Sequence, residues 1–343
     1  MEFTELEAGE YTVEAEAWDS DNDKIIASGS KKIEVEADKS TECSLTLILL
    51  SNTFSIDEDG SVAINKTKLE KTALTTVIDT AAEITGSGSE GVFIDGRTVT
   101  LSPYSIGKYE VTQELFEAIM GENPSKFQGD DYPPADGETQ EFRPVETISW
   151  YHAIVFCNRL SILMGLEPCY TAIQTNGGEV PYESIALSTI TQDCSGWQDV
   201  FCDFTKNGYR LPTEAEWEFA ARGGNQSVAD WNYTYAGSNT KTEVTWYDDN
   251  SNDITHEVGL KKANILGLYD MSGNVYEWCW DRYTDSISSS TPDTGVSSGL
   301  DRVKRGGAFN DDNQLSCRVV SRIRYAPAAF ANNMGFRIAR TIK

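Results

Sequence analysis

RLPTEAEWEFAARGG, residues Arg210 to Gly224, sets the fold class. Thr213 followed three positions later by Glu216 is a capping box. The hydroxyl accepts the Glu216 backbone N–H, and the Glu216 carboxylate reaches back to the Thr213 N–H. Gly223 supplies the residue that ends the helix. Upstream, Ser149 can cap a second helix, in which Trp150, Ala153, Ile154, Cys157 and Leu160 share one face. Beyond Gly224, turns, aromatics and short strand-like runs dominate up to the final RIART. Two helices among irregular loops, closed by short strands, make an α+β pattern.

The first fifty residues read as β. Tyr11, Val13, Ala15 and Ala17 alternate with Thr12, Glu14 and Glu16, the period of a half-buried strand. A DSDNDK turn, a strand at Ile25–Ala27, a third over KKIEVEA and a fourth over CSLTLIL follow. Residues 1–50 are therefore expected to be a small, truncated β-sandwich-like module, a common spacer on exported proteins. Asp19, Asp21 and Asp23 mimic the start of an EF-hand loop. Lys24 replaces its turn glycine and Ser30 its closing glutamate, so a polar hairpin turn is expected. Residues 51–91 read as a linker. Their closing GSGSEG matches G-x-G-x-x-G, but it leads into a hairpin with an Asp95-Gly96 turn, not into a nucleotide-binding helix.

The formal net charge of −26 argues against nucleic acid and anionic membranes as partners. The segment from Arg302 to Lys343 is opposite in sign, with nine Lys and Arg against two Asp. Several of these arginines sit between apolar residues, so buried ion pairs with the acidic remainder are expected. Eight Trp and fifteen Tyr suit a loop-rich core or a stacking surface, and the core is the expectation. CSLTLILL is too short to span a bilayer. Met1 leads straight into strand-like sequence, so a truncated chain is expected, its export signal lost. Seven cysteines include no CxxC pair, and the odd number leaves one thiol unpaired. With only His152 and His256, a multi-histidine metal site is excluded.

The ordered motifs carry a resemblance. KYEVTQELFEAIMG from Lys108, RPVETISWYHAIVFCNRLS from Arg143 and NGYRLPTEAEWEFAARGG from Asn207 come first. VTWYDDNS from Val244, NILGLYDMSGNVYEW from Asn264, RVKRGGAF from Arg302 and NNMGFRIAR from Asn332 follow. Together they resemble the sulfatase-modifying-factor domain typified by the formylglycine-generating enzyme, over about 92–343. The resemblance implies a variant of the C-type lectin fold. It also implies a calcium loop formed by Asp270 and Glu277 with the carbonyls of Gly273 and Val275. The alternative, that these groups cap turns without metal, stays open. The enzyme resembled needs two cysteines after its Gly-Gly-Ser-aromatic segment, since thiolates ligate Cu(I) and exchange with a substrate thiol. Counted from Phe309, those positions fall on Asp311 and Ser316. Cys317 stands alone and reads as a small buried hydrophobe, with a pairing to Cys279 left open. No catalytic residue is therefore assigned, and no cofactor is required beyond the structural calcium in question.

A second class with this fold comprises the variable proteins of diversity-generating retroelements, among them treponemal ones. Their C-terminal segment is altered at adenines, mostly in Asn codons. Between Ala308 and Met334 only Gln314 and Met334 fall outside the residues that an AAC codon reaches in this way, and Lys, Glu and Trp are absent. Gly306, Gly307, Arg318, Arg322, Pro327 and Gly335-Phe336-Arg337 keep the scaffold pattern. The resemblance implies a non-catalytic receptor with a variable region at about 306–340. Its expected contacts are Phe309, Asn310, Asp312, Ser316, Ile323, Tyr325, Ala326, Ala328 and Phe330. The partner would be a protein or glycan on another cell or surface, and the chain would be displayed on a bacterial cell, held to the membrane only by a lost N-terminal anchor. A copper-dependent formylglycine-generating oxidase and an undiversified surface adhesin or structural module are the alternatives.

Overall fold

A computed structural model of the chain describes residues 9–18, 25–35, 48–49, 54–64, 67–172, 197, 200–312 and 315–343. Two compact units are present: Met1–Ser55 with Ala63–Lys68, and Ile56–Val62 with Leu69–Lys343.

In the first unit β1 (Gly9–Trp18) pairs antiparallel with β2 (Ile25–Val35), and β3 (Ile48–Leu49) lies on the other edge of β2. The second and third expected strands are one continuous strand. Gly29 sits opposite Ala15 within the ladder and does not turn the chain. The DSDNDK turn with Asp19, Asp21 and Asp23 lies outside the described residues. Where the chain passes to the second unit, β4 (Phe54–Ile56), β5 (Val62–Ile64) and β6 (Thr67–Lys68) form a sheet in that order.

The expected linker at 51–91 instead carries strands, β4 to β6 and then two more. β7 (Leu74–Ile78) pairs antiparallel with β10 (Tyr104–Gly107), and β8 (Ala82–Thr85) with β9 (Thr98–Leu101). GSGSEG lies at the end of that β8–β9 hairpin, with the Gly88 N–H donating to the Phe93 carbonyl. Strands this short, such as β7 with Leu74, Val77 and Ile78 and β8 with Ala82 and Ile84, leave little alternation to read.

Two four-stranded sheets organise the rest of the second unit. One has the order β13 (Tyr209–Arg210), β18 (Ala339–Thr341), β10, β7. The other has the order β16 (Ile323–Tyr325), β15 (Arg302–Arg305), β14 (Tyr276–Arg282), β17 (Met334–Gly335). A small hairpin joins β11 (Tyr170–Ala172) to β12 (Val200–Cys202). α1 (Gln113–Met120) is capped by Thr112, α2 (Trp150–Leu163) by Ser149 and α3 (Glu214–Ala221) by the Thr213–Glu216 box. Gly223, at φ +86°, ends α3 as expected.

Every residue of α3 is buried, so its three carboxylates require partners. Arg210 holds Glu216 through two hydrogen bonds of 2.7 Å. Arg322 holds Glu214 at 2.6 and 2.7 Å. Glu218 takes Arg305 at 2.6 Å, Arg222 at 2.9 Å and the Val92 N–H. Arg305 and Arg322 come from the basic C-terminal segment, which thus spends much of its charge inside the molecule. The indoles of Trp150, Trp217 and Trp278 are fully buried. Arg302 stacks on Trp150, 3.8 Å from the ring centroid. The aromatics named here serve the core, as expected.

Candidate functional site

The C-terminal segment is a loop fixed at both ends. It leaves β15 at Gly306 and returns as β17, which runs parallel to β14 with Tyr276 opposite Met334. Arg305 before it is tied to Glu218, and Arg337 after it to Glu277. Gly306 and Gly307 both have positive φ. A Cβ on Gly307 would stand 2.6 Å from the Cys317 Sγ, so only glycine accepts that approach.

Cys317 is the packing partner of that glycine. It is fully buried with Tyr235, Val244 and Tyr247, and burial pushes its thiol up to about 12. Such a thiol is protonated at neutral pH and is neither nucleophile nor ligand. Cys279 is also buried and, like Cys317, forms no disulfide.

Asp311 and Ser316, the positions at which the resemblance implies thiols, meet on one phenol. The Tyr276 hydroxyl donates to Asp311 Oδ1 at 3.0 Å, and Ser316 lies within hydrogen-bonding reach of the same group. Asp311 Oδ2 accepts the Ala308 N–H at 2.7 Å. Burial moves the Asp311 carboxyl upward, against the pull of Tyr276 and the Ala308 amide. Lys304 Nζ sits 3.6 Å from the Tyr276 ring centroid and 4.8 Å from that of Tyr325. Burial pushes its ammonium down to about 8. Lys241 Nζ lies 3.6 Å from the Tyr247 centroid. Tyr276, Lys304 and Lys241 were not anticipated. The one sequence signal is that Lys304 lies on β15, which leads directly into the loop; Tyr276 on β14 and Lys241 are brought there only by the fold.

Of the expected contact residues, Asn310, Asp312, Ala326 and Phe330 are exposed, and Ser316, Ile323, Tyr325 and Ala328 are half-buried. Asn333 donates to Asn310 Oδ1 at 3.0 Å, joining the two ends of the loop. Ile323 and Tyr325 sit on β16, opposite Lys304 and Arg302. Phe309 is corrected. It is 1% exposed, and its ring meets Phe127 edge-on at 5.0 Å, so it belongs to the core. The exposed Leu315, absent from the expectation, lies on this face. Gln314 lies outside the described residues.

Of the expected calcium ligands, Glu277 is already committed to protein partners. Both Glu277 oxygens are taken, by the Arg337 guanidinium at 2.5 and 2.7 Å and by the Trp217 indole N–H at 2.6 Å. Asp270 Oδ2 accepts the Gly259 N–H at 2.7 Å, while Oδ1 is buried without a hydrogen-bond partner. A guanidinium already supplies the positive charge that a cation would bring. Among the described residues no cluster of three His, Cys, Asp or Glu side chains suits a metal.

Comparison with known proteins agrees with this frame. Residues 65–342 match the family model described as a sulfatase-modifying factor enzyme 1-like domain. A chaperone protein LppX from Paenibacillus barcinonensis is 36% identical over 76% of this chain and 88% of its own length. A formylglycine-generating enzyme from Thermomonospora curvata is 33% identical over 71% and 84%. Among solved structures, variable protein 1 of Treponema denticola is 38% identical, with a TM-score of 0.74, over 83% of this chain and all of that one. No helix among the described residues is long and apolar enough to cross a membrane.

Proposed function

This chain belongs to the sulfatase-modifying factor enzyme 1-like domain family, and on that premise we propose that it is a non-catalytic binding protein that presents a diversified C-terminal surface on a C-type-lectin-type scaffold. The observation that carries the reading is the pair Asp311 and Ser316. They occupy the positions where the resembled enzyme needs thiols, and they meet there on Tyr276. Neither side chain binds soft copper or exchanges with sulfur. Around them stand Asn310, Asp312, Leu315 and Phe330, exposed on a frame tied down by buried ion pairs. Rigid scaffold with adaptable side chains is the logic of antibody loops. The likeness to a treponemal variable protein supports the same reading, as it does display at a bacterial surface. The ligand would be a protein or glycan of another cell or surface, and the reading requires no cofactor.

Relatives named formylglycine-generating enzymes supply the competing reading, an oxidase acting on a substrate cysteine. Incubation of the protein with a sulfatase-motif cysteine peptide, copper and oxygen separates the two. No aldehyde is expected, and aldehyde above the uncatalysed background sinks the binding-only reading. The diversification itself is checked in the flanking DNA, where a near-copy of the 3′ end differing chiefly at adenines is expected.

A further inference from the structure

Two ammonium groups stand close to the loop without a hydrogen-bond acceptor among the described residues. Lys241 Nζ is buried with no partner and rests on the Tyr247 ring. Lys304, 8% exposed, lies over the rings of Tyr276 and Tyr325. Lys262 and Lys343, by contrast, are paired with Glu243 and Glu167, and exposed Lys126 rests on rings but stands in solvent. Asp311 is the acidic group whose charge both Lys241 and Lys304 feel. Its oxygens, however, are committed to the Tyr276 hydroxyl and the Ala308 N–H. Two positive charges thus face one negative charge, in a chain whose net charge is −26. Aromatic faces offset part of the desolvation of an ammonium, but they leave its N–H donors unused.

We propose that Lys304, with Lys241 adding positive field behind it, is a fixed anchor for an anionic oxygen group of the ligand, a carboxylate or a sulfate or phosphate ester. Lys304 supplies the donors. Both lysines lie outside the Ala308–Met334 window, on β15 and on the short helix Lys241–Val244. Variation of the loop would therefore change what surrounds the anion while the anchor stays constant. This inference rests on the C-terminal face being a binding surface.

The test uses the full chain and two simple probes, sodium sulfate and sodium acetate, at constant ionic strength. The lysine side-chain CH2–N signals are followed by NMR. Saturable shifts of the Lys304 signal are expected, with an upward move of its titration midpoint. Lys304→Met, which keeps the stem on the tyrosines, should weaken the response read at the neighbouring Lys241 signal about tenfold or more, the loss of a charge-assisted contact. Lys241→Met should weaken the response at Lys304 less, and Lys262→Met not at all. Response to sulfate alone assigns an ester, to acetate alone a carboxylate, and to both the shared chemistry. No saturable response at Lys304 in the wild type overturns the anchor, as does undiminished binding in folded Lys304→Met. If Lys304→Met does not fold, the wild-type signal decides. Failure here leaves the binding face standing if Asn310→Ala or Phe330→Ala still alters capture of a macromolecular ligand.

Discussion

Glu138 and Glu146 show how neighbouring carboxyls of one chain acquire opposite pH behaviour. Burial works upward on both. Glu138 is nevertheless held below the usual range, because the His256 ring lies 2.7 Å away and the Glu257 N–H donates to it. Its contribution is present above the unfolded carboxyl range and is lost as pH falls through the lowered value. Glu146 is fully buried, and desolvation raises it to about 7 despite hydrogen bonds from the Phe127 N–H and the Thr147 hydroxyl. Here the folded state takes up the proton, so stability declines as pH rises from about 4 to 7. Glu146→Gln should match the wild type near pH 4 and exceed it by roughly 2–3 kcal/mol near pH 7.5, as read from denaturant unfolding at both values. Some residues were legible from sequence in identity and role, Thr213 and Glu216 above all, because a capping box is set by local spacing and needs no long-range geometry. Phe309 was not. An aromatic after two glycines can point inward or outward, and only its contact with Phe127 decides.

At the scale of elements, the helix ends were the readable features because their chemistry is local. Thr213 and Glu216 exchange their hydrogen bonds as the spacing requires, but Glu216 also receives Arg210, which no local pattern shows. Thr213→Ala should cost about 1 kcal/mol, the usual value of a lost N-cap, with no change in the loop's exposed residues. Thermal unfolding monitored by circular dichroism reads this directly. Strands were less legible. Glycine inside KIIASGSKK suggests a break, yet the partner strand carries the ladder through it. β7 owes its place to hydrogen bonds with β10, a pairing of residues far apart in sequence.

For the molecule as a whole, the structure separates what holds the frame from what faces outward. Phe309→Ala should cost about 3–5 kcal/mol, as buried aromatic truncations do. Asn310→Ala, Asp312→Ala and Phe330→Ala should each change stability by no more than about 0.5 kcal/mol. Equal losses across the four variants would contradict this partition. The acidic chain with a basic tail is likewise intelligible only in three dimensions. Arg305, Arg322 and Arg337 spend their charge on Glu214, Glu218 and Glu277 inside the fold, not on an outside polyanion.

Around Asp312 the chain is held by structure on both sides: Asp311 is bound to Tyr276, and Cys317 packs against Gly307. The entropy of closing such a loop grows only logarithmically with its length, by about 0.6 kcal/mol for each doubling. Length should therefore be nearly as free to change as composition. Ten polar residues inserted after Asp312 should lower stability by no more than about 1 kcal/mol in chemical denaturation. The scaffold would then tolerate loops of different sizes as well as different side chains, extending the range of ligand shapes it can meet.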